Sequence, residues 1–265
     1  MHSGRTRKLV GRMWACEMAL EARDFRVGYA SQVVVFDASL TLPAGKITAV
    51  IGPNGSGKST LFKGIFGQAR LFSGALVVDG APVRSIDPRE LVKLGVAYVP
   101  QLDNVFPSLT VQENLEIGRA GSKRVAAEVL ALFPELHEKL GQSAARISGG
   151  QRSMLAIARA LMSSPRALLL DEISAGLSPD IAQRVLGFLR DLANEGYAIG
   201  LVEQKARQAL DVCDFGYLLR DGRVCFSGQR ELWSSVSEEE LSRLFLGGAI
   251  GLEEGYLVQG GQGSS

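Results

Sequence analysis

With 265 residues, 46% of them hydrophobic, the chain is long enough for one large α/β domain or two small ones around a substantial core. Lys and Arg total 29 against 28 Asp and Glu, so no net field steers it toward an acidic surface, and no nucleic-acid partner is expected. No apolar run approaches the roughly 18 residues that cross a bilayer, which leaves a peripheral membrane role only.

Residues 1–17 carry Arg5, Arg7, Lys8 and Arg12 without the apolar stretch of a secretory signal, and read as a disordered basic leader. Strand-like alternation first appears in MALEARDFRVGY from Met18, which under this reading is an alternative or true start, with the leader dispensable. Short strands are expected over 18–50 and 74–80, with turns at Pro43-Ala44-Gly45 and Asp79-Gly80, forming an antiparallel sheet near the ligand. Within the first range, Ile47–Ile51 is an apolar run of strand length that leads directly into Gly52–Thr60, GPNGSGKST. That segment fits G-x-x-x-x-G-K-[ST], and Leu61–Phe66 continues at helical spacing, so the loop sits where a strand hands over to a helix N-terminus. Gly52, Pro53, Asn54, Gly55, Ser56 and Gly57 form a loop whose backbone N–H groups can wrap phosphate, the glycines adopting angles that a side chain would forbid. Lys58 reaches the outer phosphates, and the hydroxyl of Ser59, followed by Thr60, can ligate Mg2+. ATP or GTP is the expected ligand.

Residues 104–165 are mostly helical in pattern: Ala156, Ile157, Ala160 and Leu161 fall at helical spacing, while Pro107, Pro134 and Pro165 divide the region. Within it Ile147–Gln151, ISGGQ, opens a helix. Ser148, Gly149, Gly150 and Gln151 put free N–H groups and a positive dipole end where an anion is favoured, and read equally as a plain helix cap. After Pro165 the patterns alternate: Ala167–Leu170, Tyr197–Val202 and Phe215–Leu219 read as buried parallel or edge strands, with helices from near Pro179 and Lys205. Ala167–Glu172, ALLLDE, runs four apolar residues into two acids, which alone reads as a strand meeting solvent. Behind a phosphate loop, Asp171 can hold Mg2+ through water and Glu172 can polarise an attacking water. The cysteines, Cys16, Cys213 and Cys225, lack metal-like spacing and suit a reducing compartment. From Gly247 to Ser265 the chain reads as a flexible Gly-rich tail.

The order of these three motifs resembles that of ABC-type ATP-binding subunits, over roughly residues 18–235. The resemblance implies a P-loop NTPase of the ABC ATPase type, spanning 18–246. Its parts would be a RecA-like parallel-sheet core, an antiparallel β subdomain and a helical subdomain at about 104–165. It implies ATP and Mg2+ as cofactors, Ser59, Gln101 and Asp171 around the metal, and Glu172, Gln101 and Gln204 as the catalytic set. The ISGGQ turn is implied to bind the γ-phosphate of ATP held by another subunit, so that two subunits pair head to tail around two nucleotides. Tyr29, in RVGYA, matches the aromatic that stacks on adenine, or is an ordinary strand Tyr. Gln101, after Tyr98-Val99-Pro100, matches the glutamine that senses Mg2+ and water, or is a solvated loop Gln. SAGLSPD, from Ser174 to Asp180, matches the loop that crosses to the partner, although Pro179 also simply starts a helix.

Two positions depart from the family pattern. Ile173 stands where proline is usual, so the turn that aims Glu172 is less rigidly preset. Gln204, in LVEQK, stands where most members place histidine, and the chain's two histidines are His2 and His137. Glutamine can donate a hydrogen bond to a γ-phosphate but carries no proton in the ordinary range, so slow hydrolysis is expected at its own site. The VEQ switch, with GVAYVPQ, VFPSLTVQENL and MLAIARALMSSP, resembles LivF-type ATPases of branched-chain amino-acid importers. The implied partners are a second, different ATPase subunit, membrane permeases and a periplasmic or extracellular solute-binding protein, at the cytoplasmic face of a bacterial plasma membrane. The Phe106–Leu109 loop is expected to meet a permease, or to pack on the chain's own core. Import of urea, amides or other amino acids stays open, as does a soluble nucleotide-gated clamp, for which the chain lacks duplicated motifs and sustained heptads.

Overall fold

Short strands that are almost wholly apolar can be buried on both faces, and three five-residue strands of this kind, broken only by Thr48 and by a terminal Asp171, form the middle of a parallel sheet. The computed structural model describes residues 19–102, 104–118 and 123–248. The first part runs β1 (Leu20–Tyr29), β2 (Gln32–Leu42), β3 (Ile47–Ile51), α1 (Lys58–Ile65), β4 (Arg70–Val78), β5 (Ala81–Pro82), α2 (Pro88–Lys93) and β6 (Val96–Val99). Helices follow: α3 (Val111–Ile117), α4 (Lys123–Leu132), α5 (Pro134–His137) and α6 (Gly149–Leu161). The remainder is β7 (Ala167–Asp171), α7 (Pro179–Asn194), β8 (Ala198–Val202), α8 (Ala206–Val212), β9 (Phe215–Arg220), β10 (Arg223–Gln229), α9 (Arg230–Ser235) and α10 (Glu238–Leu246). The basic leader, Cys16 and the tail beyond Gly248 lie outside the described residues.

One sheet has the order β2-β1-β4-β5 and is antiparallel; the other has the order β10-β9-β3-β8-β7-β6 and is parallel except for its β10 edge. The end of the 18–50 range therefore does not belong to the antiparallel sheet: β3 lies between β8 and β9 in the parallel one. The strands expected to be short are long, ten residues in β1 and eleven in β2, and β4 begins at Arg70 rather than 74. Asp24 and Asp37 take left-handed φ values of 50° and 52° where the β1–β2 register shifts, and such bulges break the alternation that marks a strand in sequence. The Asp79-Gly80 turn has φ of 52° and 77°, both positive as a type I′ hairpin turn requires.

Every residue of β3, β7 and β8 is buried. Alternate side chains enter opposite clusters, as the two-residue strand period dictates. Leu168 and Leu170 of β7 join Ile47, Ile199 and Leu201 against α6 and α7, while Leu169 joins Val50 and Val202 on the face where Phe62 of α1 and the antiparallel sheet pack. Each such aliphatic contributes roughly 1.5–3 kcal/mol over leaving it exposed. Because β3, β6, β7 and β8 run in parallel, the segments after their carboxyl ends all emerge along one rim, where ligands of open α/β sheets bind.

Candidate functional site

At that rim, β3 delivers the glycine-rich loop. A Cβ on Gly52 would lie 2.0 Å from the Leu219 carbonyl oxygen of β9, so no larger residue fits there. Gly57, the N-cap of α1, holds φ 101° with the Val35 side chain 3.0 Å from its would-be Cβ. The Lys58 side chain folds back over the loop, its Nζ donating to the carbonyls of Gly52 at 2.9 Å and Pro53 at 3.0 Å. It is only 4% exposed, and burial pulls its ammonium below the ordinary lysine range, partly offset by the Glu172 and Asp171 carboxylates.

Beside the lysine, Ser59 Oγ donates to Asp171 Oδ1 at 2.9 Å, which joins the phosphate loop to the end of β7. The pair offers hard oxygen donors at the mouth of α1, a donor set that fits Mg2+, and Gln101 lines the same cleft. Tyr98 was not among the residues singled out from sequence, yet its hydroxyl donates to Asp171 Oδ2 at 3.0 Å. Burial and the Asp171 charge raise the Tyr98 hydroxyl well above the ordinary tyrosine range, so it remains a donor. Its place on β6, three residues before Gln101, was the available signal. Partners that orient a metal ligand are commonly worth 10–100-fold in metal affinity. Tyr98→Phe should therefore raise the Mg2+ concentration for half-maximal hydrolysis by about tenfold while metal-free nucleotide binding is unchanged, and an unmoved Mg2+ titration would remove Tyr98 from this role.

Glu172 has φ 48°, a left-handed value that a non-glycine residue adopts only when its surroundings compel it. Its backbone N–H donates to Val202 O at 2.8 Å, and its Oε2 accepts from Gln101 Nε2 at 2.6 Å. The turn keeps this shape without the usual proline. Ile173 is buried, its carbonyl accepts from Ser153 Oγ of α6 at 3.1 Å, and the next N–H, of Ser174, donates to Glu203 Oε1 at 3.0 Å. Burial pushes the Glu203 carboxyl up to about 7, against the two bonds from Ser174.

The cleft, about 540 Å3, is lined by Asn54, Gly55 and Gly57 to Thr60 of the loop together with Val34, Gln101, Glu172 and Gln204. Residues far apart in sequence are thus brought to one place, a volume suited to a small-molecule ligand. Tyr29 and the Ser148–Gln151 turn do not line it. Tyr29 is 45% exposed at the end of β1. Ser148 caps α6 through a reciprocal pair: its Oγ accepts from the Gln151 N–H and its own N–H donates to Gln151 Oε1. Two N–H groups expected to be free for an anion, those of Ser148 and Gln151, are therefore engaged by the cap. A Cβ on Gly150 would lie 2.4 Å from Ile181 of α7, so the start of α6 packs directly on the helix that follows the 174–180 segment.

The family model described as ABC transporter matches residues 35–175. Over 234 residues the chain is 41% identical to the probable branched-chain amino acid transport ATP-binding protein LivF of Archaeoglobus fulgidus, covering 86% of this chain and 98% of that protein. It is 39% identical to the high-affinity branched-chain amino acid transport ATP-binding protein BraG of Pseudomonas aeruginosa, covering 74% and 86%. It is also 32% identical to the lipopolysaccharide export system ATP-binding protein LptB of Haemophilus influenzae, covering 86% and 97%. A crystal structure of the ADP conformation of an ATP-binding cassette of an ABC transporter superposes with TM-score 0.73 at 26% identity, over 88% of this chain and 96% of that one. The chain therefore belongs to the ABC transporter family as one of its ATPases.

Proposed function

We propose that this ATPase powers uptake of branched-chain or other hydrophobic amino acids through separate permease subunits, from the cytoplasmic face of a bacterial plasma membrane. The observation that carries the reading is Gln204: the residue of the VEQ switch lines the cleft beside Glu172, and the likeness to LivF and BraG supports it. Within the site, Lys58 and the loop hold phosphate, and Ser59, Asp171 and Gln101 would hold Mg2+, which when bound would supply neutralisation of the phosphate charge. Glu172 orients the water, Gln101 holds Glu172, and Gln204 donates toward the γ-phosphate without taking a proton. Tyr29 stacks on adenine. Ser148, Gly149, Gly150 and Gln151, which do not line this chain's own cleft, complete the site of a second ABC ATPase subunit paired head to tail.

The permease-facing surface in this reading is the helical region. Leu102, Phe106 and Ile117 are exposed there, and the Arg159 guanidinium stacks 5.0 Å over the Phe106 ring, which fixes the loop while leaving the ring accessible. A solute-binding protein would deliver the amino acid from the far side of the membrane. A second reading, an ATPase for lipopolysaccharide export, rests on the likeness to LptB. Recovering the full chain bearing Glu172→Gln, with ATP, from native membranes and identifying what accompanies it decides between them. A permease and a second ATPase encoded with an amino-acid-binding protein are expected; lipopolysaccharide-export components, or ribosomal or DNA-bound material, would overturn the importer.

A further inference from the structure

We infer that Glu203 is a positioning residue for hydrolysis, a buried carboxylate that holds the Ile173–Ser174 peptide and thereby both Glu172 and the segment expected to reach the partner subunit. Glu203 follows the last residue of β8 and is 2% exposed. Burying a carboxylate is unfavourable unless donors hold it, and an apolar residue of similar volume would serve packing as well or better. Here the donor is specific: the Ser174 backbone N–H at 3.0 Å. The carbonyl of the same peptide unit accepts from Ser153 Oγ at 3.1 Å. One peptide is therefore pinned from both sides, by the helix that ISGGQ opens and by the residue before Gln204.

The position of that peptide gives the clamp its consequence. On its amino side lies Glu172, in left-handed backbone with its N–H on Val202 O. On its carboxyl side lies the 174–180 segment. The Glu203 backbone N–H faces Val50 O of β3 at 3.4 Å, two residues before the phosphate loop. Glu203 thus spans the strand that delivers the loop, the turn that aims Glu172 and the switch at Gln204. The ionisable groups facing its carboxylate are Glu172 and Lys205, and neither is bonded to it; the Ser174 amide and hydroxyl are the groups that hold it. What the clamp requires is an acceptor oxygen at this spot, which Gln retains and an apolar residue does not.

The inference rests on the roles proposed for Glu172 and Gln204, so Glu172→Gln is run as a control in the same assay. ATP hydrolysis by the full chain is measured for Glu203→Gln, Glu203→Met and Glu203→Ala, with KM for ATP and binding of a fluorescent ATP analogue to the single subunit. Glu203→Met and Glu203→Ala are expected to lose roughly tenfold in kcat with KM and binding unchanged, a hydrogen bond to a charged group being worth about that factor. Glu203→Gln should stay within about twofold of the parent, the acceptor being kept. Ala serves where Met does not fold, since it asks for no repacking. Parental kcat in either apolar variant, an equal loss in Gln, or a loss of binding in step with kcat would overturn the clamp. A Glu172→Gln control that turns over normally would instead locate the fault in the catalytic assignment.

Discussion

Glu172→Gln should lower kcat for ATP hydrolysis by roughly 10²–10⁴-fold, the usual contribution of a positioned general base, while ATP binding is retained. The substitution is isosteric and leaves the backbone at φ 48° as it is, since glutamine carries the same side-chain skeleton. Its amide oxygen can still accept from Gln101 Nε2, which now donates to Oε2 at 2.6 Å, so only the charge and basicity are lost. With water no longer polarised, a closed ATP-bound dimer should accumulate. Phosphate release and gel filtration in ATP report the two effects, and parental turnover would disprove the role given to Glu172. Because the Glu172 carboxylate also supports the charge on Lys58, removing it should lower the Lys58 ammonium further.

Lys58→Met should separate nucleotide binding from stability. The side chain is buried, and its ammonium has only loop carbonyls and two nearby carboxylates to answer it. The net lowering means that desolvation outweighs what these partners return, so an apolar chain of equal length relieves a cost, and a gain of about 1 kcal/mol is expected for the nucleotide-free chain. The sign with pH follows from the lowered value. In the unfolded chain the proton is held as in ordinary lysine, whereas in the folded chain it is held at a cost. The gain from methionine is therefore full at neutral pH and fades as pH rises toward the ordinary lysine range. ATP affinity moves the other way, by about 10²-fold, since charge-assisted bonds to phosphate are lost. Thermal melts at pH 7 and pH 10 beside ATP titrations check both parts; a lower melting temperature with intact ATP binding would sink the argument.

The chemistry was legible in the sequence wherever it is local. GPNGSGKST, ALLLDE and ISGGQ each carry their chemistry within a few residues, and buried parallel strands such as β7 and β8 show as apolar runs. What escaped depends on distance along the chain. Tyr98 meets Asp171 across 73 positions, and Glu203 meets Ser174 across 29, contacts that no local pattern encodes. The four residues of β6 are too few for a periodic signal. The β9–β10 hairpin did leave a mark, Asp221-Gly222 with φ of 48° and 75°, the same turn chemistry as Asp79-Gly80. At Ile173, where proline is usual, the turn is held by side chains from α6 and from after β8 rather than by a ring in the backbone.

The β9–β10 hairpin also sets when the site comes into being. Among the described strands, β3, which carries the phosphate loop, pairs with β8 and β9. The Gly222 N–H donates to Ser56 O within the loop at 3.0 Å, and the Leu219 carbonyl lies against Gly52. Every nucleotide motif is complete once residue 204 has been synthesised, yet the β9–β10 backbone that meets the loop at Gly52 and Ser56 has then not been made. Domains fold as units behind the ribosome. For a growing chain, ATP is therefore a ligand acquired late, after the hairpin has emerged and closed the sheet around β3. The motifs are written first, and the protein becomes able to use them last.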